Sequence, residues 1–169
     1  LLQLLCLTAM EPPAGRDADS IRDEKVKVLR SLRPLTGADV FKHVVRAQYG
    51  AGSINGKRVA AYRDELNVNP ESMTETYVAM ELNVDNWRWA GVPFFIRVGK
   101  RLPKAGTEIA VHFKSVPPVL FRATGESIDD NVLVIRIQPD EGISLRMSAK
   151  MPGSSLRIEP VKMDFHYGT

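Results

Sequence analysis

The stretch Asp85-Asn-Trp-Arg-Trp-Ala-Gly-Val-Pro-Phe-Phe-Ile-Arg-Val-Gly-Lys100 decides the reading of this chain. It begins as a turn and ends as a strand. Asp85-Asn86 closes an alternating run, and both side chains bond readily to nearby backbone. Pro93 suits the first residues of a strand, where no ladder donor is needed. From Phe94 the side chains alternate: Phe94, Ile96 and Val98 share one face, Phe95 and Arg97 the other. Gly99 removes the side chain beside Lys100, which would let a ligand approach the backbone. Arg97, Lys100, Arg101 and Lys104 gather cations at the end of this apolar strand.

On either side of that stretch the pattern changes character. Leu1–Met10 is apolar nearly all round and rich in helix formers, so a helix buried on most sides is expected. Pro12-Pro13 ends it. Asp17, Asp19 and Ser20 are candidate caps for a second helix running to about Leu32. Ile21, Val28, Leu29 and Leu32 form its apolar stripe. Asp39–Val45 is helix or strand, and Val44–Tyr49 is extended. Gly50–Ser72 carries turn signals, including Asn55-Gly56, and a short helix over Ala60–Leu66. It reads either as a surface loop or as a loop near an active site or partner subunit.

From Thr74 the period becomes two. Val78, Met80, Leu82 and Val84 alternate with Tyr77, Ala79, Glu81 and Asn83. Phe94–Gly99 follows, then Ile109, Val111 and Phe113 against Glu108, Ala110 and His112. Pro117-Pro118 interrupts. Asn131–Gln138 places Arg136 and Gln138 on one face, Ile143–Ser148 alternates again, and Leu156–Tyr167 supplies one or two extended segments. Helices first and strands after predict an α+β fold, a largely antiparallel sheet with helices packed on one face.

The 169 residues suffice for one domain with its own core. Apolar content of 44% and charged content of 25% fit a soluble protein. The net charge of +3 is mild and acidic residues are interleaved, which argues against a nucleic-acid partner. Leu1–Met10 lacks a basic leader and is too short to span a bilayer, so no membrane partner is expected. It reads as a helix cut in the middle, and the chain as a fragment of something longer. The single cysteine, Cys6, excludes an internal disulfide and fits a reducing, cytoplasmic compartment. In its apolar run it reads as a core filler.

His43, His112 and His166 are far apart in the sequence and show no metal-ligand spacing, so no metal is expected. There is no glycine-rich strand-to-helix fingerprint and no paired carboxylates, so no catalytic residue is assigned. What remains is the cationic cluster. Lysine and arginine at a strand end serve either as edge protection or as donors to an anionic ligand. Gln138 offers a donor and an acceptor suited to a sugar hydroxyl. Arg136 and Gln138 are expected to reach the same cavity as Lys100, since their strand is read as part of the same sheet.

Four ordered words resemble the glucose-6-phosphate dehydrogenase family. They are Leu1–Met10, Arg22-Asp-Glu-Lys-Val-Lys-Val-Leu29, the stretch from Asp85 through Leu102, and Ile135-Arg-Ile-Gln-Pro-Asp-Glu-Gly142. The likeness loosens in Gly50–Ser72 and Ser115–Asp130. It implies that residues 1–169 are part of the C-terminal α+β domain, without the coenzyme domain and the extreme C-terminus. It implies a parent that oxidises glucose 6-phosphate to 6-phosphogluconolactone with NADP, the NADP being held mainly by the absent N-terminal domain. It also implies a homodimer formed through the sheet.

In the family, the lysine of the Arg-x-Gly-Lys word contacts the sugar phosphate; Lys100 matches it. The glutamine before a proline lies at the sugar, and Gln138 matches. A second basic residue often stands five positions after the lysine. Here that position is Ala105, and Lys104, one earlier, is the candidate. Arg136 and Arg146 fit parts of a second NADP site found in some eukaryotic members, but Gly106, Ala110 and Ser144 depart from it and that site is not expected. The alternative is a non-catalytic α+β module for sugar-phosphate binding or oligomerisation. Sequence upstream of Leu1, carrying or lacking a glycine fingerprint, separates the two.

Overall fold

Prolines bracket the helical part of the chain. Helix α1 (Leu2–Ala9) stops before Pro12-Pro13, and α2 (Ala18–Arg30) before Pro34. Asp17 is the cap of α2, accepting from the Ser20 backbone at 2.9 Å and from the Ser20 hydroxyl at 2.6 Å. These bonds hold its carboxyl below the usual carboxylate range. The ambiguous segment divides: α3 spans Ala38–His43, and strand β1 spans Val44–Ala47. The structure is a computed structural model and describes residues 1–115, 128–153 and 157–167. Pro117-Pro118 and Leu156 lie outside the described residues. The chain forms two compact units, Leu1–Pro103 and Lys104–Thr169.

In the first unit, β1, β4 (Tyr77–Asn83) and β5 (Pro93–Gly99) form an antiparallel sheet in the order β1-β4-β5. Phe94 on β5 packs with Met10 and Trp89 against buried Cys6, Ala9 and Val28. The Trp89 ring meets Phe94 edge-on at 5.2 Å. Its indole nitrogen donates to the Ala9 carbonyl at 2.9 Å, satisfying an acceptor at the end of α1 that the helix leaves free. The exit of α2 is tied to the sheet by the Leu32–Val84 bridge and by Arg33, which donates to both Asp85 oxygens at 3.0 and 2.7 Å. Cys6 is the core filler expected, and burial pushes its thiol up against the opposing pull of Lys25.

Three expectations need correction here. Helix α1 is not buried on most sides: Leu5, Cys6 and Ala9 are covered, whereas Leu1, Leu2 and Leu7 are about half exposed. An all-apolar segment reveals no preferred face, and only one side meets α2 and Trp89. Leu29 is likewise exposed, leaving Val28 as the buried position of its stripe. Gly50–Ser72 is also more ordered than its composition suggests. It holds a hairpin of β2 (Gly52–Ile54) and β3 (Lys57–Val59), followed by a 3-10 turn at Tyr62–Asp64. Asn55 and Gly56 take φ of 51° and 78°, the positive pair that a two-residue hairpin turn requires.

The second unit holds β6 (Thr107–His112), β7 (Val132–Gln138), β8 (Gly142–Lys150) and β9 (Ile158–His166), antiparallel in sequence order. The register aligns Ile109, Ile135, Ile143 and Phe165 in one row across the sheet. Val111, Leu133, Leu145 and Met163 form the next row on the same face. The opposite face carries Ser144, Arg146, Lys162 and Asp164. Lys162 at 2.8 Å, then Ser144 and Arg136, pull the Asp164 carboxyl down to about 2.

The α+β class and the antiparallel pairing are therefore as expected, but the strands are shared among three sheets. Among the described residues the α-helices all belong to the first unit. Tyr77, Ala79 and Phe95 accordingly lie in the three-stranded sheet and Leu133 in the four-stranded one.

Candidate functional site

Lys100 leaves the end of β5 with its backbone held on the strand side. Its N–H donates to the Thr76 carbonyl at 2.8 Å, continuing the β4–β5 ladder by one step. Its side chain is exposed. The gap left by Gly99 is not open to a ligand. A Cβ there would stand 2.8 Å from the Tyr77 ring and 3.2 Å from Leu102, so neighbouring side chains already fill the space. Gly99 is required by close packing of the turn and not by approach of a substrate.

The next residue does different work. Arg101 adopts φ of 56°, a left-handed backbone uncommon for a residue with a Cβ. Its guanidinium donates to Glu65 at 2.6 Å and stands over the Tyr49 ring at 5.9 Å. The Tyr49 hydroxyl donates to the same Glu65 oxygen at 3.3 Å, and the Tyr49 ring meets Tyr62 edge-on at 5.7 Å. Around this group, Gln48 donates to the Ser72 and Thr74 carbonyls, each at 2.8 Å, and accepts from Arg63 at 3.0 Å. Of the four clustered cations, Arg101 is thus engaged in the protein, and Arg97 and Lys100 are exposed. Lys104 is exposed and belongs to the second unit.

Gln138 ends β7 in the second unit. The register shifts there: Glu108 faces Arg136, yet its neighbour Thr107 faces Gln138. Such a shift interrupts the period-two count, so the shared face expected for Arg136 and Gln138 is not kept. Gln138 donates to the Thr107 hydroxyl at 3.1 Å, while Arg136 turns to Asp164 at 3.4 Å. The Gln138–Pro139 peptide is cis. Lys104 lies three residues before Thr107, the partner of Gln138, in the approach to that strand. The premise that β5 and β7 share a sheet fails, because β5 belongs to the three-stranded sheet and β7 to the four-stranded one.

Two concavities occur in the first unit. One, of about 480 Å³, opens on the outer face of the three-stranded sheet and is lined by Lys42, His43, Val45, Glu81, Phe95 and Arg97. His43 and Glu81 approach there to 3.1 Å. The other, of about 380 Å³, lies beside the hairpin and is lined by Lys57, Arg58 and Arg101. The hairpin cations were missed in the sequence, although Asn55-Gly56 flanked by Ile54 and Val59 was the available signal. Among the described residues no group of three or more His, Cys, Asp and Glu could hold a metal ion, and no helix is long and apolar enough to cross a membrane. None of the described strands runs into an α-helix, so these residues form no strand-to-helix cradle for a dinucleotide.

The model of the family described as glucose-6-phosphate dehydrogenase, C-terminal domain, matches residues 1–169, and the chain belongs to that family. It is 51% identical over 167 residues to glucose-6-phosphate 1-dehydrogenase of Aggregatibacter actinomycetemcomitans, covering 99% of this chain and 33% of that protein. With the Bacillus subtilis enzyme it is 50% identical over 165 residues, covering 98% and 34%. A solved glucose-6-phosphate dehydrogenase in complex with its substrate glucose-6-phosphate superposes with a TM-score of 0.83 at 37% identity, covering 98% of this chain and 32% of that one. The Mycobacterium avium enzyme gives 0.77 at 39% identity, covering 99% and 33%. The chain thus spans about a third of the length of these relatives.

Proposed function

We propose that residues 1–169 are part of the C-terminal domain of a glucose-6-phosphate 1-dehydrogenase and hold the sugar phosphate. The observation that carries this reading is the likeness, along 98% of the chain, to a solved enzyme in complex with glucose 6-phosphate. The reaction of the whole protein is removal of hydride from C1 of glucose 6-phosphate, giving 6-phosphogluconolactone. NADP accepts the hydride and is held mainly by an N-terminal domain. Lys100 donates charge-assisted hydrogen bonds to the phosphate. Gln138 meets a sugar hydroxyl, and Lys104 takes the role of the second basic residue. The enzyme works in the cytoplasm, in the pentose phosphate pathway.

An isolated polypeptide of residues 1–169 is expected to reduce no NADP above background with glucose 6-phosphate. Hydride transfer needs bound nicotinamide, a base near the C1 hydroxyl and a substrate held between them. These residues supply part of the last requirement. Absorbance at 340 nm on the purified polypeptide decides the point. Turnover that survives purification and disappears on Lys100→Ala would show that the active site has been misplaced.

The protein is also expected to assemble as a two-fold symmetric homodimer through its sheet surface. The apolar rows through Ile143 and Leu145 run across four strands, and Phe165 at their edge is 60% exposed. On the three-stranded sheet Phe95 is 76% exposed. Apolar surface of this kind marks interaction sites. Light scattering at micromolar concentration should give twice the monomer mass; a monomer with no concentration dependence contradicts the dimer.

A further inference from the structure

We infer that Glu65 is a positioning residue for Lys100, acting through Arg101 and Tyr49. The inference rests on the reading that Lys100 meets the sugar phosphate. Lys100 is held from behind by the Thr76 carbonyl, but a lysine side chain is long and flexible, and its reach depends on where the turn places its Cα. The turn continues through Arg101, whose positive φ is unfavourable for a residue with a Cβ and persists only when its surroundings impose it. The imposing contacts are identifiable. The Arg101 guanidinium is clamped between the Glu65 carboxylate at 2.6 Å and the Tyr49 ring at 5.9 Å. Glu65 is in turn fixed by the Tyr49 hydroxyl at 3.3 Å.

The group is less exposed than an ordinary surface ion pair: the Glu65 side chain is 27% exposed and that of Arg101 45%. Tyr49 is itself anchored, since its N–H donates to the Thr76 hydroxyl at 3.0 Å. The residue that accepts from the Lys100 backbone therefore also holds the tyrosine of the clamp. Thr76, Tyr49, Glu65 and Arg101 close a ring of contacts around the turn that carries Lys100. Loss of the clamp frees the Arg101 backbone to relax, and the ammonium group moves away from the place where phosphate is met.

The test is a double-mutant cycle on the full-length enzyme, with glucose 6-phosphate and NADP as probes. Glu65→Gln keeps the shape of the side chain and removes its charge. It is expected to raise KM for glucose 6-phosphate about three- to tenfold, with kcat and the KM for NADP within about twofold. In a Lys100→Ala background the same substitution should have no further effect. A full, additive effect in that background overturns the inference and leaves the role of Lys100 standing. Equal loss of both affinities also overturns it, because a general folding defect weakens both. If Lys100→Ala itself leaves KM for the sugar phosphate unchanged, the underlying reading falls and the inference with it. Should Glu65→Gln fail to fold, Tyr49→Phe removes only the hydroxyl and serves in the same cycle. An unchanged KM in that variant overturns the inference.

Discussion

Replacing Lys100 with alanine in the full-length protein is expected to lower kcat/KM for glucose 6-phosphate about ten- to a hundredfold. The estimate follows from the loss of one hydrogen bond to a charged group, about 1.5–3 kcal/mol. The side chain is exposed at the end of a strand and its removal opens no cavity, so stability is expected to hold. The affinity for NADP is expected to stay within about twofold, because no described residue near Lys100 forms a dinucleotide cradle. Steady-state kinetics with each substrate varied in turn, beside a thermal melt, check the result. Equal weakening for sugar phosphate and coenzyme would point to misfolding and remove Lys100 from the site.

The largest expected change in stability is at Trp89. Trp89→Ala should cost about 3 kcal/mol, the lower end of the range for truncating a packed aromatic, because the ring is half-buried. Three contacts go together: the packing on Cys6, Ala9 and Val28, the edge-on meeting with Phe94, and the donor to the Ala9 carbonyl. The internal control stands two residues away. Trp87 is fully exposed, and Trp87→Ala should shift stability by less than about 0.5 kcal/mol. Urea unfolding of the two variants compares them directly. Similar midpoints would mean that the indole does not tie α1 to the turn.

The strands were legible in the sequence because alternation is a local signal. Tyr77–Asn83, Pro93–Gly99 and Val132–Gln138 fall where the period of two put them, within a residue at their ends. What escaped was non-local. Nothing near Trp89 announces that its indole meets Ala9, and nothing near Lys100 announces that the next residue pairs with Glu65. The division into separate sheets escaped for the same reason, since alternation shows that a strand exists and not which strand lies beside it. The short hairpin was a different failure. Its Asn55-Gly56 turn was visible, but strands as short as Gly52–Ile54 and Lys57–Val59 give alternation too little length to register. For the candidate site, the family words pointed to Lys100 and Gln138. The bulge that turns Gln138 toward Thr107 leaves no trace in composition.

The strand registers also set where this chain can tolerate a change of length. Between β3 and β4 the chain crosses a long connection before β4 pairs with β1. Lengthening such a connection is cheap, about 0.6 kcal/mol for each doubling, because closure entropy grows only with the logarithm of loop length. The interior of β8 is the opposite case. One residue inserted after Ile143 would carry Leu145 to the face of Ser144 and bring Ser144 into the apolar row on every strand it meets. Insertions and deletions should therefore accumulate among relatives between Leu66 and Glu71, clear of Glu65 and of the Ser72–Thr76 anchors, and be excluded from Gly142–Met147.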